Sequence, residues 1–196
     1  MISAKPFRVM TVFTLLLLVG MGVVISRSLN NFSPSRGAFS PADSALEIAG
    51  YRAWTKVNQS PYRMAPPSAI ACAAPARANV PNPHQDKYVT VYVNDTGRKA
   101  MLEQKSPKFP EGSIIVKEKL SNPASPAPEL LTVMVKRAPG YNPEVGDWEF
   151  MVTDGKGVEV RERGKLENCQ TCHVSWTRTD YVSRTYLPSD VAANLK

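Results

Sequence analysis

Near the end of the chain stands Cys169-Gln170-Thr171-Cys172-His173, and no other stretch restricts the fold as much. Cys-x-x-Cys-His is the attachment pattern of a c-type haem. Two thiols three positions apart on a starting helix can bond the two vinyl groups of one porphyrin. The adjacent imidazole then lies under the ring and ligates the iron. Cys169 and Cys172 are therefore expected as the thioether residues and His173 as the axial ligand of one covalent haem c. A zinc site would need four ligands, and the remaining candidates, Cys72 and His84, lie far upstream. A thioredoxin-like redox pair would need a βαβ pattern around it, and none is visible.

The chain has 196 residues, enough for an anchor, a linker and one domain of ordinary size. It is 43% hydrophobic and 21% charged, the balance of a globular protein. A formal net charge of +7 favours acidic partners or a membrane surface. The basic residues are scattered singly, without an aromatic platform, which argues against nucleic acid as a partner. With three cysteines, two of them in the pentapeptide, a disulfide framework within one chain is excluded. Cys72 reads as a small buried hydrophobe.

Lys5 and Arg8 precede an apolar run from Val9 to Ile25. It is somewhat short for a spanning helix of ~20 residues and long for a signal core of ~7–15. Residues 1–28 are read as a membrane anchor or a signal peptide. Either exports the rest of the chain to the periplasmic side, and the leading charges favour an N-in orientation. Export suits covalent haem, which bacteria attach outside the cytoplasm. Residues 29–44, rich in Ser, Asn, Pro and Gly, read as a flexible tether.

Residues 45–196 read as the haem domain. Asp43 or Ser44 caps an expected helix in which Leu46, Ile48, Ala49, Ala53, Trp54 and Val57 recur at helical spacing. Six prolines between Pro61 and Pro83 make a long loop, either a wrap on the surface or a cover over one haem face. Strands are expected at Tyr88–Val93, Ser113–Leu120, Leu130–Arg137 and Trp148–Thr153, with a fifth over Val158–Arg163. A short helix should run from Asp95 or Thr96 to about Gln104, and the haem-bearing helix from Leu166 to Tyr181. Short loops imply antiparallel neighbours. The fold class is α+β: a mainly antiparallel sheet with flanking helices around one c-type haem.

No Met or His follows His173, so a sixth ligand would have to come from upstream: Met64, Met101, Met134, Met151 or His84. Met134 and Met151 fall in strands and are more simply core residues. The economical reading is a five-coordinate iron with one open face.

Several stretches, in order, resemble the cytochrome P-460 family, which includes the cytochromes c′-β. They are Tyr51-Arg52-Ala53-Trp54, the strand from Tyr88 to Asn94, and Phe109-Pro110-Glu111-Gly112-Ser113-Ile114-Ile115-Val116-Lys117-Glu118. Met134-Val135-Lys136 leading to Gly146-Asp147-Trp148-Glu149, and Cys169 to His173 followed by Thr179-Asp180-Tyr181-Val182, complete them. The resemblance implies a homodimer that binds or turns over hydroxylamine or nitric oxide and exchanges electrons with a redox partner protein.

The resemblance also singles out Lys117, whose counterpart in P-460 proper is bonded to the porphyrin rim. Strand alternation puts Ser113, Ile115, Lys117 and Lys119 on one face and Ile114, Val116 and Glu118 on the other. From pattern alone, Lys117, Glu118 and Lys119 would be a solvated strand end. Hydroxylamine oxidisers of the family carry a carboxylate over the iron, in the strand corresponding to Leu130–Arg137. Thr132 is the approximate counterpart here, with Glu129 the nearest acid. Three functions stay open: hydroxylamine or nitric oxide turnover at a Lys117-linked haem, a nitric oxide carrier or sensor, and six-coordinate electron transfer.

Overall fold

The computed structural model describes residues 45–64 and 87–196. The expected anchor and tether, Cys72, His84 and most of the proline-rich loop lie outside the described residues. Among the described residues, no helix is long and apolar enough to cross a membrane.

Seven antiparallel strands form one sheet. Five are long: β3 (Tyr88–Val93), β4 (Ile114–Leu120), β5 (Leu130–Lys136), β6 (Trp148–Asp154) and β7 (Val160–Gly164). Two are short, β1 (Thr55–Lys56) and β2 (Tyr62–Arg63), and both pair with β3. The path β1-β3-β4-β5-β6-β7 follows chain order, so each long strand hydrogen-bonds to the one before it, as the short connections require. Helix α1 (Asp95–Leu102) crosses between β3 and β4, and the Asn94 side chain caps it by accepting from Gly97 N–H. Helices α2 (Glu167–His173) and α3 (Ser189–Ala193) complete the chain.

The alternation expected for β4 is borne out. Ile115 packs in one core with Val89, Val91, Val93, Met134, Phe150 and Trp148. Ile114 and Val116 pack in a second core with Leu131, Val133, Val135 and Met151. The first defines an inner face and the second an outer face. Lys117, Glu118 and Lys119 are not a solvated end: β4 is flanked by β3 and β5, and all three are buried, at 5%, 6% and 0% exposure. On the outer face Glu118 accepts from the Tyr51 hydroxyl (2.7 Å) and Arg52 Nε (2.8 Å).

Two expected helices are shorter than their periodicity suggests. Residues 45–47 are helical, but Gly50 takes φ +71° and a 3-10 turn follows at Tyr51–Ala53. Thr55–Lys56 then joins the sheet opposite Val93 and Tyr92. Ile48 and Tyr51 are buried in the outer core while Val57 enters the inner one. Their common spacing thus serves two faces of a sheet edge rather than one helix stripe. The segment expected to bear haem likewise leaves α-helix at His173, continues as 3-10 through Thr179 with non-helical backbone at Trp176, and ends in left-handed Asp180 and Tyr181.

Candidate haem site

Helix α2 starts at Glu167, so Cys169 and Cys172 fall one turn apart, with His173 last. His173 is buried and its ring lies 5.2 Å from that of Phe150 on the inner face of β6. Burial, with Lys117 and Lys119 nearby, pushes its imidazole down to about 3. The ring is therefore neutral, with one N–H and one lone pair. His173 Nδ1 lies 2.6 Å from the carbonyl of Tyr181. A carbonyl can only accept, so Nδ1 donates and the lone pair is left on Nε2, the arrangement a metal-bound histidine uses.

The backbone that presents that carbonyl is strained. Asp180 and Tyr181 have φ of +53° and +64°, a region bulky side chains rarely enter. A network around Asp180 holds them there. Its Oδ2 accepts from Phe109 N–H (2.9 Å) and Lys136 Nζ (2.7 Å), and its carbonyl accepts from Trp148 Nε1 (2.7 Å). Phe109 meets the Trp148 ring edge-on at 5.4 Å. Gly146, at φ +65°, lies where a Cβ would come within 2.7 Å of the Tyr181 ring. Separate pieces of sequence — Phe109 to Gly112, Lys136, Gly146 to Trp148, and Thr179 to Val182 — thus build one support behind His173.

The sheet supplies the rest. Register places Val91, Lys117, Thr132, Val152 and Glu162 in one row across β3 to β7, and Val93, Ile115, Met134, Phe150 and Gly164 in the next. Burial lowers the Lys117 amine to about 8 and drives Lys119 well below its ordinary range. Lys117 Nζ lies 5.0 Å from the centre of the Tyr186 ring. Burial, with Glu162 and Cys172 nearby, pushes the Cys169 thiol up to about 12, so in the chain by itself it rests as the thiol and not as a reactive thiolate. Among the described residues, no three His, Cys, Asp or Glu side chains are grouped to hold a metal ion.

The residues fit a haem on the inner face. The helix presents two thiols, Cys169 and Cys172, beside a neutral, oriented histidine. The buried Thr132 Oγ1 and Tyr186 hydroxyl, on residues that neighbour Lys117, have no hydrogen-bond partner among the described residues. A bound haem would supply an iron that takes small ligands; His173 would hold it through Nε2, with Cys169, Cys172 and the residues of the inner face lining the site. Met151 is on the outer face, while Met64, Met101 and Met134 are buried in the inner core. An open groove of about 680 Å³, lined by Leu46, Ile48, Tyr51 and Val158, belongs to the outer side and is remote from this chemistry.

Cys169, Cys172, His173 and Lys117 are thus brought to one side of the sheet. Glu129 is not beside Thr132 on that face but at the end of β5, paired with Lys87. Tyr186, Asp180 and Phe150 were not expected as site residues. Asp180 lay in a family-like stretch, but Tyr186 has no motif around it.

Residues 48–184 match the family model of cytochrome P460, and the chain belongs to the cytochrome P460 family, whose members carry haem. No curated protein matches the chain significantly.

Proposed function

We propose that the protein is a mono-haem c-type cytochrome with one open iron face that acts on small nitrogen species, hydroxylamine or nitric oxide, outside the cytoplasm. The observation that carries this reading is His173: buried, neutral, and held with Nε2 available next to Cys169 and Cys172. In this reading both cysteines are bonded to the porphyrin, Lys117 reaches its rim, and residues 1–28 export the chain. A homodimer and a redox partner protein follow from the family resemblance. A neutral imidazole opposite an unligated face leaves iron open to a diatomic guest.

One observation favours a nitric oxide carrier or sensor over an oxidase. Thr132, directly across from Lys117, is no base, and oxidising hydroxylamine requires proton removal. Binding nitric oxide needs only accessible iron in a largely apolar pocket.

An absorption spectrum of the ferrous protein, with and without nitric oxide, tests the proposal. The expected spectrum is high-spin and changes on nitric oxide addition, with a strongly red-shifted Soret band where Lys117 is linked. A low-spin six-coordinate spectrum indifferent to nitric oxide would return the protein to plain electron transfer.

A further inference from the structure

Two hydroxyls lack a partner among the described residues, and the residues that carry them both neighbour the same lysine. Thr132 is the cross-strand neighbour of Lys117, in register on β5. Tyr186, 2% exposed, reaches Lys117 from beyond the haem-bearing segment and lays its ring 5.0 Å from Nζ. Neither Thr132 Oγ1 nor the Tyr186 hydroxyl has a hydrogen-bond partner among the described residues. Leaving a buried hydroxyl unsatisfied is costly, and native folds seldom keep such a group without a reason.

The chemistry of the group that would satisfy them is narrow. Lys117 offers only N–H, and each hydroxyl offers one O–H. Donors on three residues that neighbour one another on the inner face call for an acceptor. Val91, Ile115 and Met134 of the inner core flank the lysine, with the buried Lys119 further along the same face.

We propose that Tyr186, with Thr132 and Lys117, forms a donor cluster that holds an acceptor oxygen brought to the inner face with the haem. The inference rests on the haem reading above and extends it to two residues that no motif marks. Tyr186 has two parts: its ring positions Lys117, and its hydroxyl binds the acceptor. The oxygen has two possible sources, a carboxylate of the porphyrin itself or an oxygen atom of the small guest on iron.

Tyr186→Phe keeps the ring and removes the donor, and Thr132→Val does the same for the threonine at nearly constant shape. Each is made in the full-length protein matured with haem. Haem content, the C–O stretching frequency of the ferrous carbon monoxide complex, its carbon monoxide release rate and the midpoint potential are then measured. If the oxygen belongs to the guest, the C–O stretch of the Tyr186→Phe protein rises and release quickens about fivefold, the worth of one ordinary hydrogen bond. If it belongs to a porphyrin carboxylate, the stretch stays and the midpoint potential moves. Either result supports the cluster. Full haem loading with stretch, release rate and potential all unchanged in both variants overturns it. Colourless wild-type protein overturns the haem reading itself, and the cluster with it, and so is told apart from failure of the cluster alone.

Discussion

His173 Nδ1 meets the carbonyl of Tyr181 at 2.6 Å, and that contact leaves Nε2 as the ring nitrogen with an available lone pair. The carbonyl is in position because Tyr181 and Asp180 hold left-handed backbone that Asp180 ties down on three sides. The orientation of the histidine therefore depends on a carboxylate seven residues further on that never touches it.

Asp180→Asn tests this dependence. It leaves the half-buried Lys136 without its ionic partner, the two side chains being 12% and 4% exposed. Breaking such a pair costs about 3 kcal/mol. The variant should unfold at lower denaturant and, in the folded ferrous protein, show a shifted iron–histidine stretching band. A folded, destabilised variant with an unmoved band would mean that Asp180 supports the fold but not His173.

Lys117→Ala addresses the porphyrin link. Loss of the red-shifted Soret band is expected, with peptide mass spectrometry locating the linked residue; an unchanged spectrum would sink the link. The burial of Lys117 also has a pH signature in chain matured without haem, where the amine is free. The unfolded chain keeps this proton up to about 10.5, and the folded chain releases it at about 8. Unfolding then takes up a proton between those values, so stability should rise with pH across that window. Lys117→Met should make the rise smaller, the remainder coming from the likewise buried Lys119, as seen in denaturation midpoints at pH 7.5 and 10.

Thr132→Glu places a carboxylate beside Lys117 on the inner face. A positioned general base typically contributes about 10²–10⁴-fold. Hydroxylamine-dependent reduction of an electron acceptor should increase towards that range, while nitric oxide binding remains. A variant that binds nitric oxide but oxidises hydroxylamine no faster would show that proton removal is not what limits this site.

Glu149 should set part of the acid limit of the fold. Burial works against its charge, but Arg163 and Arg137 outweigh it and hold the carboxyl below its ordinary value. The stability it contributes is present above the unfolded-state value near 4.5 and is lost as pH falls through the lower folded-state value. Glu149→Gln should be less stable than wild type at pH 7 and lose less on going to pH 3.5, as read from melting temperatures at both pH values.

Local chemistry determined much of this protein. The pentapeptide names its cofactor, because two thiols and an imidazole at that spacing suit little else. The β-branched and aromatic run of Tyr88–Val93, with the turn residues between the later strands, determined the sheet, and alternation alone assigned Lys117 and Ile115 to one face. What sequence could not reveal depends on distant residues. Lys117, Glu118 and Lys119 look like a solvated strand end until β3 and β5 enclose them. The helical spacing of Ile48, Tyr51 and Val57 yields to Gly50 and to sheet pairing, because burial on two faces outweighs a short helix. Asp180 and Tyr186 carry no local signal: one acts through the indole of Trp148 and the amine of Lys136, the other through contact with Lys117. Tertiary structure alone decided these, since a hydrogen bond or a ring contact depends on distance in space, and these partners are separated in sequence by 32 and more residues.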